Sequence, residues 1–197
     1  FAQAGIVAKD DLRYTLNTGN FSFGGEPLVS RLFRTIRGEL GYTYAIGSSY
    51  NALGSLSKQP GVFIISSTPA VEFTSKTLTK TLAMWREYMQ TGLDGDELKL
   101  SSESQINSYP FEFESAEKRL AQRLHSYLYG VPVLTPEEFS KKISDIDNGQ
   151  VKKALKARHT ESGWLIAIVA DKEVVRAQLE ESQKDIPAAE RFTISKV

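Results

Sequence analysis

The sequence predicts an α+β domain in which a mixed, mainly antiparallel sheet carries helices on one face. Two observations lead to this class. Alternating or β-branched runs at residues 42–49 and 61–66 are typical of an antiparallel hairpin. Several capped helical patterns separate this hairpin from further strands near both ends of the chain. A doubly wound fold would instead alternate strands and helices regularly, so that class is disfavoured.

The region before the hairpin predicts one strand and two helices. A short apolar strand is expected at residues 4–8, and Asp10 or Asp11 is placed to cap a helix after it. A second helix is expected from about residue 26 to residue 39, with Pro27 in its first turn. Two adjacent glycines separate these helices and mark a break in the chain.

Further helices follow the hairpin, and each has a recognisable start. A long helix is expected to begin near Thr68, with Pro69 in its first turn, and to end at Gly92. Trp85 and Met89 lie on its apolar stripe and are expected in the core, as are Leu120 and Leu124 of a later helix. The later helices are each preceded by a capping residue: Asp94 or Asp96 for the first of them, then Ser115, Thr135 and Asp147.

The end of the chain contains the most apolar segment. Residues 164–170 (WLIAIVA) form a continuous apolar run, which predicts a central strand covered on both faces. A short helix at about residues 173–181 and a last strand at residues 191–195 complete the pattern. No long linker or internal repeat interrupts it, so we expect one domain over residues 1–197.

Composition excludes several classes of site. The 197 residues include no Cys and two His, and 24 basic side chains balance 24 acidic ones. Disulfides, iron–sulfur clusters and thiol nucleophiles are therefore impossible. His125 and His159 lie too far apart in sequence for an HExxH or HxxEH zinc motif, and His159 is expected to complement a helix dipole as a cation. Zero net charge gives no reason to expect a nucleic-acid partner.

The N-terminal residues do not resemble a signal peptide, because they lack a basic region and a long apolar stretch. They are typical of a β-strand with no leader sequence before it, which predicts that the chain is a fragment of a longer protein. No window is apolar enough over about 20 residues to predict a membrane span.

One stretch carries a recognisable pattern. Residues 20–44 read NFSFGGEPLVSRLFRTIRGELGYTY. The pattern-bearing positions are Asn20, Phe23, Gly24, Gly25, Ser30, Arg31, Leu32, Ile36, Arg37, Gly41 and Tyr44. This stretch resembles the second half of the pitrilysin/insulinase family of zinc metallopeptidases, and the order of elements is similar along nearly the whole chain. The chain departs from the family pattern at Gly38, where a glutamate is common, and at Tyr42, where leucine is common.

The resemblance implies a half-clamshell metallopeptidase domain that lacks the zinc motif H-x-x-E-H. It implies that this chain binds no metal or other cofactor, and that a homologous domain or subunit supplies the zinc. Arg37 and Tyr44, seven positions apart, are implied to reach a peptide substrate in the partner's active site. Tyr42 is the alternative to Tyr44, because simple alternation places both on the same strand face.

The implied activity is hydrolysis of peptides by the assembled enzyme, with this domain inactive alone. Two alternatives remain open at this point: a catalytically silent structural subunit of the same family, and a peptide-binding module.

Overall fold

The fold is α+β, as predicted, and is described here from a computed structural model over residues 1–51, 60–184 and 193–195. A three-stranded sheet contains β1 (Ala2–Ala4), β2 (Thr43–Asn51) and β3 (Val62–Pro69). Its order is β1-β3-β2, and both strand pairs are antiparallel, which confirms the predicted hairpin. The first strand lies two residues earlier than predicted.

Helices make up most of the described chain. The α-helices are α1 (Arg13–Asn20), α2 (Thr74–Thr91), α3 (Gly95–Ser108), α4 (Ala116–Tyr129), α5 (Pro136–Ser144), α6 (Asn148–Arg158) and α7 (Lys172–Ser182). Two π-helical segments cover Phe21–Gly25 and Phe33–Glu39, and two 3₁₀ turns cover Val71–Phe73 and Tyr109–Phe113. Within the described ranges, none of these helices has the length and apolarity needed to cross a membrane.

The predicted cap of the first helix by Asp10 or Asp11 was wrong, because α1 begins after Leu12 and has no side-chain cap. The capping predictions for four later helices are confirmed by hydrogen bonds. Side chains of Asp94, Ser115, Thr135 and Asp147 each accept a bond from a backbone N–H in the first turn of the following helix. Gly92 ends α2 with a φ of 69°. Such caps depend on residues within one turn, and this locality makes them readable from sequence.

The predicted helix over residues 26–39 was wrong in its first part. Helical structure begins only at residue 31, because the preceding residues form turns. Glu26 is extended, with a φ of −105° and a ψ of 121°, as expected for a residue before proline. Leu28 has a φ of 73°, which no helix accepts.

The start of the long helix was also predicted too early. β3 continues to Pro69, which lies opposite Thr43 in the sheet, so Thr68 belongs to the strand and caps nothing. The chain then forms a 3₁₀ turn before α2 begins at Thr74. Pairing with β2 therefore overrides the local helix-start pattern.

The prediction of a central strand at residues 164–170 was wrong for the described chain. Leu165 exchanges two backbone hydrogen bonds with Ala2, at 2.8 and 2.9 Å, and this single bridge is its only pairing among the described residues. Leu165 is 75% exposed and Val169 is fully exposed. The segment borders β1, which has only three residues and offers little to pair with. For the predicted strand at 191–195, residues 191 and 192 lie outside the described range, and residues 193–195 form no strand.

Aromatic side chains form the centre of the core between the sheet and the helices. Trp85 of α2 is fully buried, and its ring contacts those of Phe23, Phe63 and Trp164. Met89 is buried as expected. The prediction that Leu120 and Leu124 are core residues was wrong, because they are 69% and 54% exposed on α4.

His159 was wrongly predicted to act as a cation at a helix end. It caps the C-terminus of α6 but is 6% exposed and packs against Phe63 and Trp85. Its Nε2 lies 2.8 Å from the Tyr50 hydroxyl, and its Nδ1 has no hydrogen-bond partner within the described residues. Burial lowers the pKa of His159 from 6.5 to about 4, so the ring is neutral near pH 7.

Stability should therefore fall as pH is lowered through the window between 6.5 and 4. In that window the unfolded chain binds a proton on His159 and the folded chain does not. The shift corresponds to roughly 3 kcal/mol of unfolding free energy, present above pH 6.5 and lost by pH 4. Urea unfolding at pH 7 and at pH 4 measures this difference in unfolding free energy. His159→Gln should remove this part of the pH dependence, whereas His125→Gln, at an exposed position on α4, should retain it. Equal pH dependence in both variants would contradict the assignment.

Candidate functional site

Arg37 and Tyr44 lie side by side at the corner between the second π-helical segment and β2. Arg37 is in the last turn of Phe33–Glu39, and Gly41, with a φ of 64°, turns the chain toward the strand. Tyr44 is the second residue of β2. The Arg37 Cζ is 5.4 Å from the centre of the Tyr44 ring. The two side chains paired by sequence spacing are thus neighbours in space.

Their polar groups are not used elsewhere among the described residues. The Arg37 guanidinium lies over the Phe33 ring, 4.6 Å from its centre, but makes no hydrogen bond or ion pair there. The Tyr44 side chain is 81% exposed, and its hydroxyl has no hydrogen-bond partner in the described ranges. Both groups can therefore donate to another molecule at the same surface.

A β-bulge explains why Tyr44 points outward. Thr43 pairs with Pro69 and Ile46 with Ser67, so the register shifts by one residue between these pairs. Thr43 and Ile46 are both buried, and the two residues between them are exposed. An extra residue of this kind re-aims side chains and is common beside active sites.

Tyr42 faces a different environment, so the expectation that it shares a strand face with Tyr44 was wrong. It precedes β2, and its N–H donates to the carbonyl of Ile36 at 3.0 Å. Its half-buried ring stacks on Phe73, with centres 5.0 Å apart and planes at 18°. The Tyr42 ring therefore packs on Phe73, whereas the Tyr44 ring lies against the Arg37 guanidinium.

The first part of the motif fixes the π-helical turn Phe21–Gly25 against β2. Asn20 Nδ2 donates to the Ser48 carbonyl at 3.2 Å, and Asn20 Oδ1 accepts from Ser48 Oγ at 2.5 Å. Gly24 allows close approach, because a Cβ there would lie 2.4 Å from Ser48 Oγ and 2.7 Å from Leu32 Cδ1. Phe23 is fully buried and helps to anchor the same turn.

The second part of the motif is anchored to α3 by a mostly buried ion pair. Arg31 Nε donates to Glu97 Oε1 at 2.6 Å, and its Nη2 donates to Glu97 Oε2. Glu97 Oε2 also accepts the N–H of Asp94 at 3.0 Å, which completes the capping box of α3. Arg34 lies 3.5 Å from the same carboxylate. One carboxylate therefore joins the helix start to the segment that leads to Arg37.

No metal site is apparent where the structure can be described. In those residues, no three His, Asp or Glu side chains are grouped so as to hold a metal ion. His159 is buried among aromatic rings, and His125 is on α4, with its ring centre 4.4 Å from that of Tyr129. The donor set for a protein zinc site is thus absent from the described surface.

Two cavities among the described residues lie away from this corner. The larger, of about 510 Å³, lies beside Arg31, Lys80 and Glu87. The smaller, of about 270 Å³, is lined by residues of α1 and α4 and by Tyr50. Neither is lined by Arg37 or Tyr44, and the exposed Tyr44 side chain places the candidate site on an open surface.

Comparison with known proteins agrees with the fold and the motif. Residues 6–103 match the model of the Peptidase M16 inactive domain. Comparison with curated protein sequences found no match. The structure is similar to the peptidase M16 inactive domain from Pseudomonas fluorescens, with a TM-score of 0.73 and 24% identity over 81% of this chain and 37% of that one.

Two other solved structures share the fold at lower identity. A protease from Helicobacter pylori has a TM-score of 0.69 and 12% identity, over 80% of this chain and 37% of that one. The first half of the periplasmic protease PqqL from Escherichia coli has a TM-score of 0.58 and 13% identity, over 98% of this chain and 44% of that one. The chain spans 35–37% of the length of the first three structures that it matches.

Residues 6–103, which include the motif, match the inactive domain of the M16, or pitrilysin/insulinase, peptidase family, and the α+β fold agrees with that match. The predicted resemblance is confirmed. The family match covers residues 6–103, and the single-domain organisation of residues 1–197 stays a prediction.

Removing Glu97 should destabilise the whole motif. Glu97→Ala leaves Arg31 mostly buried without its partner and removes the capping box of α3. The expected loss is about 3 kcal/mol of unfolding free energy. Glu103→Ala is the matched control, because Glu103 is on the same helix in an exposed pair with Lys99, and it should cost less than about 0.5 kcal/mol. Chemical unfolding of both variants measures the difference, and equal losses would contradict the anchoring role.

Proposed function

We propose that this chain is the substrate-holding part of a zinc-dependent metalloendopeptidase. A homologous domain or subunit with the H-x-x-E-H motif supplies the metal, and the assembled enzyme hydrolyses peptides. The observation that carries the proposal is the pairing of Arg37 and Tyr44, whose polar groups are both unbonded among the described residues. The match of residues 6–103 to a domain of a protease family supports it.

Arg37 holds the substrate in this proposal. Its guanidinium is permanently charged and presents several N–H donors in one plane, which suits a peptide carbonyl or carboxylate oxygen. The Phe33 and Tyr44 rings contact the guanidinium, and no acidic partner among the described residues competes for its N–H groups. Arg37 can therefore bind a substrate oxygen without first breaking an ion pair.

Tyr44 stabilises the negative charge that develops on the scissile carbonyl oxygen. A hydroxyl aimed at that oxygen stabilises the tetrahedral intermediate more than the planar substrate. The exposed hydroxyl of Tyr44 has no partner to lose within the described residues. The zinc ion of the other domain would polarise the same carbonyl and supply a nucleophilic water.

The sheet offers a way to align an extended substrate. In the described sheet, β2 is an edge strand, and Tyr44 lies near its beginning. An extended peptide can add to such an edge through main-chain hydrogen bonds, with side-chain contacts setting specificity. Peptides in short or unfolded chains fit this mode, because folded proteins rarely present a free extended segment.

Tyr44→Phe should lower kcat/KM of the assembled enzyme by about 10²-fold, because it removes one oxyanion donor and keeps the ring. Cleavage of a quenched fluorescent peptide, with this chain joined to or mixed with its zinc-bearing partner, measures the effect. Tyr42→Phe is the matched control and should leave the rate nearly unchanged, because Tyr42 stacks on Phe73. A loss confined to Tyr42→Phe would transfer the role to Tyr42.

Arg37→Ala should also lower kcat/KM by about 10²-fold, through the loss of substrate positioning. Arg34→Ala removes an arginine from the same segment but one that faces Glu97, and it should retain most activity. Full activity in both Arg37→Ala and Tyr44→Phe would favour the alternative of a catalytically silent structural subunit.

A further inference from the structure

The Arg37 side chain is held by two aromatic rings rather than by a carboxylate. Its Cζ is 4.6 Å from the Phe33 ring centre and 5.4 Å from that of Tyr44. A guanidinium attracted to a ring face keeps its N–H groups free for other partners, whereas a carboxylate would occupy them. Ring contact therefore restricts the position of the charge and preserves its ability to bind.

Phe33 is placed to make this contact because of the local backbone. Phe33 and Arg37 are the first and fifth residues of the π-helical segment Phe33–Glu39. The Leu40 N–H donates to the Thr35 carbonyl at 3.0 Å, which keeps the wider i→i+5 turn closed at its end. Segments of this type are rare and occur frequently at functional sites.

We infer that Phe33 is a positioning residue, whose ring holds the Arg37 guanidinium beside the Tyr44 hydroxyl so that both reach one substrate peptide. This inference rests on the proposed function. Phe33 acts through Arg37 and needs no contact with the substrate. It is half-buried next to the fully buried Leu32, so its backbone is fixed while its ring covers the guanidinium.

The inference predicts that ring character at position 33 matters, not bulk alone. Phe33→Leu should lower kcat/KM of the assembled enzyme roughly fivefold, because Arg37 becomes less ordered. Phe33→Tyr should keep the original rate, since tyrosine also offers a ring face to a cation. In the Arg37→Ala background, Phe33→Leu should have no further effect, because the group that it positions is already absent.

A second measurement does not depend on catalysis. In NMR spectra of the full chain, the Arg37 Cδ protons should show upfield ring-current shifts that Phe33→Leu reduces and Phe33→Tyr retains. These shifts test the contact even if the proposed peptidase function is wrong.

The outcomes separate the two ideas. Reduced shifts in Phe33→Leu, with a rate loss only when Arg37 is present, would support the positioning role. Equal rate losses with and without Arg37 would overturn it, because Phe33 would then act through stability or direct contact. A rate loss in Arg37→Ala without one in Phe33→Leu would overturn the inference and leave the proposed function standing. Reduced shifts in Phe33→Leu, with no rate change in Phe33→Leu or in Arg37→Ala, would support the contact and contradict the proposed function.

Discussion

The carboxylate of Glu97 is the point on which the described architecture depends most. It accepts two hydrogen bonds from Arg31, closes the capping box at Asp94 and lies near Arg34. A mostly buried charge is stabilised when its hydrogen-bonding capacity is filled, and here Arg31 and the Asp94 N–H fill it together. The backbone carbonyl of Glu97 also accepts from Ser22 Oγ at 2.9 Å. Two separate parts of the family motif are thereby fixed to one turn of α3.

The result is a firmly held backbone that carries the side chains of Arg37 and Tyr44 at its edge. The turn Phe21–Gly25 is bonded to β2 through Asn20 and Ser48, and the chain through Arg31 is bonded to α3. The corner that carries Arg37 and Tyr44 lies between these fixed parts, and the donors of both side chains have no hydrogen-bond partner in the part of the chain that the structure describes. Functional groups that must reach a second molecule are best supported in this way, with the backbone held and the donors unpaired.

Elements that depend on nearby residues were predictable from the sequence, whereas those that depend on contacts with distant residues were not. Helix starts at Thr135 and Asp147 depend on side chains within one turn, and they were predicted correctly. The extension of β3 to Pro69 depends on β2, and the neutral state of His159 depends on the rings around it. For the site, the motif pointed to Arg37 and Tyr44, but the bulge in β2 and the stacking of Tyr42 on Phe73, which give the two tyrosines different surroundings, depend on residues distant in sequence. The role of Phe33 had one available signal, its i, i+4 spacing from Arg37.

The exposed face of α4 affects how this chain behaves as an isolated molecule. Leu120, Leu124 and Tyr127 recur on one side of the helix, and Tyr127 is 86% exposed. With equal numbers of acidic and basic side chains, the molecule has little long-range charge repulsion near neutral pH. An apolar stripe on a molecule of zero net charge favours self-association as concentration rises. The net charge grows as the pH moves away from 7, so the concentrated chain should be more soluble there than at pH 7.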